Sequence, residues 1–423
     1  MNPQTLAQWL EYQQHQHPAG IALGLDRVAA VWQRLGARRP APTVITVGGT
    51  NGKGTTVAML ESMLRAAGQR TGAYTSPHLV RYTERLRIDG QECPDADWIA
   101  VFARVEAARA ELPLTYFEFG TLAALELMAD AGIDVALLEV GLGGRLDAVN
   151  LVAADAAIVV SVDLDHMEYL GRDRDQIGRE KAGIFRAGRA AILGDREPPA
   201  GLLDAARERA ADVRRIGVDF DLVANAPVLR WRAGAVTLDV PTAALDAPGR
   251  RDNAAVALAA LHALTARLGW PVADYQRGLA EFTVPARVQR FAGPPEVIVD
   301  VAHNPHAARA LAGWLRAHPL AGRTLAVFSA LADKDIPAIA AILGAHIARW
   351  HLCALTDAGA RGLAADAVAA RVRQGWPTAD IVLHGPPAAA LAAAQAEALP
   401  GDRVLAFGSF HLAGSVLPRL GPL

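Results

Sequence analysis

A chain of 423 residues that is 52% hydrophobic has enough apolar mass for two or three packed domains and too much for a disordered segment. Its 42 basic and 44 acidic residues are spread along the whole length, which excludes the clustered Lys/Arg face that a nucleic-acid backbone demands. No stretch has the roughly 20 charge-free apolar residues of a membrane span. The opening residues lack the apolar core of a secretion signal, and two cysteines without metal-ligand spacing suit a reducing compartment, so a cytoplasmic protein is expected.

In chain order, Leu23 and Leu25 read first as apolar anchors of an N-terminal helix. Residues 43–47, apolar and β-branched, form the first strong strand. It runs into Gly48-Gly49-Thr50-Asn51-Gly52-Lys53-Gly54-Thr55-Thr56, and a helix is predicted from 55 to 67 on Val57, Leu60, Met63 and Leu64. Glycines let such a loop curl its N–H groups toward phosphate oxygens, the helix N-terminus adds its dipole, and Lys53 adds a charge. Thr55 takes the place of the hydroxyl beside Mg²⁺. Counted from Gly48, the spacing is one residue tighter than the common phosphate loop, and a glycine-rich turn without nucleotide is the competing reading.

Ser76 closes a further strand, where its hydroxyl suits a metal or an ST-turn. A helix is predicted over 119–131. Residues 133–140 and 156–162 are continuous apolar runs of the kind found in parallel strands covered on both faces. The first ends at Glu139 before Gly141-Leu142-Gly143-Gly144. There a carboxylate can hold Mg²⁺, a hard ion that prefers oxygen, or simply cap a helix. The second is followed by Asp163, Asp165 and His166, and on its own His166 is a hydrogen-bonded loop residue. Lys181, in a charged helix turn, reads as solvated or ion-paired.

Residues 218–240 suggest a small antiparallel excursion, and 252–268 one long helix. Residues 283–295, with Pro285, Gly293, Pro294 and Pro295, are the linker candidate. Strands at 296–301, 324–329, 348–353, 380–383 and 403–407 then alternate with helices such as 305–317, 364–373 and the alanine-rich 387–398. That cadence is doubly wound, and such sheets bind ligands beyond the carboxyl ends of their strands. The expected fold is therefore α/β. A P-loop NTPase-like N-terminal domain with a mostly parallel sheet covers 1–286, and 287–295 is the linker. A smaller doubly wound, Rossmann-like C-terminal domain covers 296–423.

Taken together, residues 49–56, SPHLVRYT at 76–83, 117–121, LEVGLGGRLDAVN at 138–150, 165–171, 179–186 and DVAHNPHA at 300–307 carry a resemblance. The chain resembles the bacterial bifunctional dihydrofolate synthases/folylpolyglutamate synthases of the Mur ligase superfamily, in family order from residue 23 to about 411. The resemblance implies that Asn51, Gly52, Lys53, Gly54 and Thr55 hold the phosphates of ATP, with further nucleotide contacts from Asn253, Arg287 and Asp300. Ser76, Glu139 and His166 match magnesium ligands. Lys181 matches a lysine carbamylated by CO₂, a change that turns an ammonium into a carboxylate able to bind a second Mg²⁺. Leu23, Gly24, Leu25 and Asp26 match the pterin site, as do Thr115, Tyr116, Phe117 and Glu118, and Leu146, Asp147 and Ala148.

His303 either positions glutamate or phosphate or is a satisfied loop histidine. Arg250-Arg251-Asp252 stands where the family commonly has a glutamine or histidine before Asn253. The implied activity is ATP-dependent ligation of L-glutamate to dihydropteroate and to reduced folates through an acyl phosphate, by a monomer. A folylpolyglutamate synthase alone and a P-loop switch protein are the alternatives.

Overall fold

The computed structural model describes residues 3–17, 21–225 and 228–421. The apolar runs of the N-terminal half are buried strands: β1 (Thr43–Gly48), β2 (Thr71–Tyr74), β5 (Val135–Glu139), β6 (Ala156–Val159) and β7 (Ala190–Leu193). The more polar β3 (Leu86–Ile88), β4 (Gln91–Glu92) and β8 (Asp212–Arg215) complete the sheet toward its edges. The order is β4-β3-β2-β5-β1-β6-β7-β8, parallel from β2 to β8 and antiparallel at β3 and β4. β5 lies on one side of β1 and β6 on the other, so the connections diverge there and a crevice opens beyond the strand ends. Register places Val47 beside Glu139 and Gly48 beside Val159, so the glycine loop leaves the sheet next to that carboxylate.

The helix after β1 runs Lys53–Ala66, starting two residues before its apolar periodicity, because Gly52 closes the turn at φ 90°. The helix Tyr116–Ala131 also starts early. Thr115 accepts from the Glu118 amide while Glu118 reaches back to the Thr115 amide, a capping box that moves the helix start into the expected substrate segment. The single helix expected over 252–268 is two, Arg250–Ala263 and Thr265–Leu268. Leu264 leaves the helical region, and the Thr265 hydroxyl takes the His262 carbonyl at 2.7 Å. The excursion near 218–240 is an antiparallel sheet of β9 (Phe220–Asn225), β10 (Val228–Ala233) and β11 (Val236–Val240). Buried Trp231 fastens it to the helix Arg250–Ala263 through the Ala255 carbonyl at 3.1 Å.

The chain divides into two compact units, Met1–Asp246 with Arg250–Thr283, and Ala247–Gly249 with Val284–Leu423. Residues 287–295 are therefore part of the second unit. Gln289–Phe291 is β12, paired antiparallel with β13 (Glu296–Val299), and the Gly-Pro-Pro run expected to act as a spacer turns this hairpin. The remaining strands are β14 (Thr324–Phe328), β15 (Arg349–Cys353), β16 (Ile381–His384) and β17 (Arg403–Phe407). Their order is β12-β13-β17-β14-β15-β16, parallel except at β12. The helices Pro305–Ala317, Ala365–Gly375 and Pro387–Glu397 occupy the expected intervals. No helix among the described residues is long and apolar enough to cross a membrane.

Candidate active site

Two glycines shape the loop after β1. Gly49 and Gly52 have φ of 143° and 90°, and a Cβ on Gly52 would lie 2.6 Å from Asn253 Oδ1 and 2.9 Å from Val160. That close approach places buried Asn253, far along the sequence, directly against the loop. Ser161 braces it: the Asn51 amide donates to Ser161 Oγ, the Ser161 hydroxyl to the Asn51 carbonyl, and the Thr50 amide to the Ser161 carbonyl. The Lys53 ammonium folds back onto the Gly49 and Thr50 carbonyls at 3.1 and 3.2 Å. The N-terminus of the helix Lys53–Ala66 has no side-chain cap among the described residues, which leaves first-turn N–H groups for an anion. Thr55 is buried in that turn.

Glu139, buried at the end of β5, touches the same turn: a Cβ on Gly54 would sit 3.5 Å from its Oε2. The Ser76 amide donates to that oxygen at 3.0 Å. Lys181 ends the helix Arg174–Lys181, which packs against the glycine-rich loop after β5. A Cβ on Gly144 would meet the Lys181 and Glu180 carbonyls at 2.9 and 3.0 Å, and the Arg145 amide donates to the Glu180 carbonyl. Lys181 is only 3% exposed. Burial first, and then the like charge of Lys53, push its ammonium down to about 7, against a smaller pull from Asp165. The solvated lysine that the sequence suggests is thus a buried neighbour of the phosphate loop.

His166 occupies the left-handed region at φ 51°, just before the short helix Met167–Leu170, and its amide donates to Asp165 Oδ1 at 3.0 Å. Among the described residues, no three His, Cys, Asp or Glu side chains form a ready metal cage. The expected set has only two of those types, Glu139 and His166, and draws its other members from a hydroxyl and a modified lysine.

A cavity of about 250 Å³ lies in the same unit. Three of the expected substrate segments meet in its wall: Leu23, then Thr115, Tyr116, Phe117 and Glu118, then Leu146, Asp147 and Ala148. Ser76 also lines it, so the cavity reaches the residue whose amide holds Glu139. Asp147 is buried, accepting from the Leu142 and Val149 amides at 2.8 and 3.0 Å. Burial pushes its carboxyl up to about 6, against the pull of those amides and of Lys53.

Gly24, Leu25 and Asp26 do not line the cavity. Leu25 packs on the apolar core, and Asp26 is exposed as the first residue of the helix Asp26–Arg34. Leu23 is the residue of this segment in the wall, and Arg27, just beyond the segment, pairs with the wall residue Glu118 at 2.8 Å. Sequence reasoning also missed Arg85, Pro77, Ala22 and Ile21 in the wall. Arg85 sits in a run of charged residues that reads as solvated surface, and nothing in its spacing separates it from Arg81 or Arg87.

The second unit gathers Arg287, Asp300 and His303 at the end of β13. Asp300 accepts from the Val288 and Ala302 amides at 2.8 and 2.7 Å, and burial holds its carboxyl above the usual range, tempered by Arg287. The Arg287 guanidinium lies 5.5 Å from the Phe410 ring, and the His303 ring lies 6.1 Å from the same phenyl. His303 Nδ1 is 2.8 Å from the Val301 carbonyl. Arg250, the departure noted before Asn253, stacks on Phe282 at 5.3 Å and donates to the Ala244 carbonyl.

Both units match Mur ligase families, the middle domain over residues 47–221 and the glutamate ligase domain over residues 286–410. A phosphate loop at a sheet's switch point and a separate α/β unit after it are thus the architecture of a Mur ligase. Within that class, a dihydrofolate synthase/folylpolyglutamate synthase of Escherichia coli (strain K12) is 46% identical over 415 residues, 97% of this chain and 94% of its own. The solved structure of E. coli FolC in complex with DHPP and ADP is 45% identical. It covers 99% of this chain and 98% of its own, with a TM-score of 0.92. A bifunctional folylpolyglutamate synthase/dihydrofolate synthase of Yersinia pestis, complexed with AMPPNP and Mn ion, is 42% identical. It covers 99% of both chains, with a TM-score of 0.90. The chain belongs to the dihydrofolate synthase/folylpolyglutamate synthase family.

Proposed function

We infer that this chain is an ATP-dependent ligase that joins L-glutamate to dihydropteroate, giving dihydrofolate, and to reduced folates, giving folylpolyglutamates. The observation that carries the reading is the double position of Ser76, which lines the cavity and presents its amide to Glu139 beside the phosphate loop. A substrate held in the cavity by its ring system then has its carboxylate directed toward the bound phosphates.

A carboxylate oxygen of the substrate attacks the γ-phosphorus of ATP, the bond to ADP breaks, and an acyl phosphate forms. The glutamate amine attacks its carbonyl carbon and phosphate leaves with the bonding pair. Both steps accumulate negative charge on phosphoryl oxygens, which Lys53 and the first-turn amides of the helix Lys53–Ala66 stabilise. Asn51, Gly52, Gly54 and Thr55 cradle the phosphates, and Asn253 braces them.

Ser76, Glu139 and His166 are the residues that would hold a divalent cation, Mg²⁺ in the cell, and that ion would supply positive charge against the phosphates. Lys181 completes a second cation site as a carbamate. With its ammonium pushed down to about 7, a large fraction is neutral amine near pH 7. That amine nitrogen attacks the carbon of CO₂ and releases a proton, leaving a carboxylate on the side chain. The product also replaces the repulsion between Lys181 and Lys53 with attraction. In the second unit, Arg287 and Asp300 are assigned to the nucleotide and His303 to glutamate or the leaving phosphate. The enzyme is read as a cytoplasmic monomer.

The test is incubation with ATP, Mg²⁺, L-glutamate and either dihydropteroate or a reduced folate, with products identified by mass. Both substrates are expected to gain glutamate with stoichiometric ADP. Product from the reduced folate alone would make the chain a folylpolyglutamate synthase only.

A further inference from the structure

Among the described residues, three arginines are more than nine-tenths buried: Arg85, Arg109 and Arg403. Arg109 pairs with Glu106 at 2.6 Å and Arg403 with Glu296 at 3.1 Å. The neighbours of Arg85 in sequence are paired as well, Arg81 with Glu92 and Arg87 with Glu61. Arg85 forms no ion pair with a carboxylate among the described residues. Its Nε donates to His78 Nδ1 at 2.9 Å, and its guanidinium lies 5.2 Å from the Tyr82 ring centroid and 5.4 Å from that of Tyr116. Imidazole and phenol are neutral partners. Taking a guanidinium out of water for neutral partners is costly, and the aromatic faces return only part of that cost. Arg85 nevertheless stands in the wall of the cavity.

The same wall holds the complementary imbalance. Asp147 is 3% exposed and forms no ion pair among the described residues; its oxygens take backbone amides. Both residues line the one cavity, and both charges act on the hydroxyl of Tyr74, in opposite senses. A buried cation without an anion and a buried carboxylate without a cation are reconciled by a ligand with a lactam edge. Its ring N–H donates to the carboxylate, and the adjacent ring oxygen accepts from the guanidinium. A 2-amino-4-oxo ring carries that edge.

We propose that Arg85 is a specificity residue that donates to the ring oxo group of the bound substrate while Asp147 accepts from the neighbouring ring N–H. This rests on the reading of the cavity as the pterin-substrate site. It assigns ring recognition to Arg85 and Asp147, the two ends of one hydrogen-bonding edge, and gives no ring contact to exposed Asp26.

Both acyl acceptors share the ring, whereas only a folate carries a glutamyl carboxylate. In Arg85→Met, KM for dihydropteroate and for reduced folate should therefore rise together, by about tenfold or more, the worth of a hydrogen bond from a charged donor. KM for ATP should stay within about twofold, which also reports an intact phosphate loop and fold. A dihydropteroate analogue with hydrogen in place of the ring oxo group also loses the adjacent ring N–H, and so both ends of the edge. It should bind the parent at least about tenfold more weakly than dihydropteroate and lose nothing further in Arg85→Met. The analogue arm on the parent decides the matter even if the variant does not fold. A rise confined to reduced folate would mean that Arg85 reads a glutamyl carboxylate, and would overturn the proposal. So would equal binding of the analogue and dihydropteroate to the parent. A parent that makes neither product would instead remove the underlying assignment of function.

Discussion

Lys181 shows how much a single side chain depends on its surroundings. In an ordinary lysine the amine is almost wholly protonated at neutral pH and does not react with CO₂. Here burial and Lys53 bring it to about 7, and Asp165 opposes that pull without reversing it. The proposed carbamate predicts that Lys181→Ala is inactive and that short carboxylic acids, filling the vacated space, restore part of the turnover. Intact mass of the metal-loaded parent should show the added CO₂. An unmodified lysine in a fully active, metal-loaded preparation would count against the carbamate. Arg85 and Asp26 make the converse point: one looks like surface and lines the cavity, the other looks like a ring contact and faces solvent.

Among elements, the turn between β1 and its helix is tightly constrained. Gly52 needs a left-handed backbone, and its missing Cβ makes room for Asn253 and Val160. Gly52→Ala should therefore cost about 1–2 kcal/mol from the backbone alone, and displace Asn253 and raise KM for ATP about tenfold or more. Gly68→Ala is the matched control: φ is 80° and nothing lies within 4 Å of an added Cβ. It should lose comparable backbone stability, measured by urea unfolding, and leave KM for ATP unchanged. A similar rise in both variants would mean that strain, and not the approach of Asn253, sets the loop. The capping box at Thr115 and Glu118 is a second device of this kind, because it fixes where Tyr116 and Phe117 enter the cavity wall.

Over the whole molecule, buried charges in each of the two units contribute to how stability follows pH. Asp147 and Asp300 hold protons in the folded state that the unfolded chain releases, since burial raises both. Through Asp147 the folded protein therefore binds more protons from about pH 4 to about pH 6, and the stability it contributes falls as pH rises through that window; Asp300 acts in the same sense above its ordinary value. Lys181 acts in the opposite sense. Its folded value is depressed, the unfolded chain binds more protons from about pH 7 to about 10.5, and stability rises with pH there. Urea midpoints of the metal-free protein across pH should show both slopes. Asp147→Asn should flatten the acid window and Lys181→Met the alkaline one, with Lys181→Met more stable than the parent at pH 7. A Lys181→Met variant with the parent's alkaline slope would show that this lysine is not the titrating group.

The sequence by itself determined the α/β alternation, because strands covered on both faces must be apolar throughout and the helices between them must repeat near 3.6 residues. It also determined the phosphate loop, whose glycines, lysine and threonine are contiguous, and Glu139, which follows an apolar run. Tertiary structure alone decided that Gln289–Phe291 is a strand, since three residues pair only when β13 lies beside them. It decided that Arg27, one helical position beyond Asp26, meets Glu118, and that Arg85, among several arginines of one charged run, is the buried one. The physical reason is common to these cases. Desolvation, counter-charge and pairing are properties of neighbours in space, and those neighbours, like Asn253 against Gly52, lie far along the chain from the residues they control.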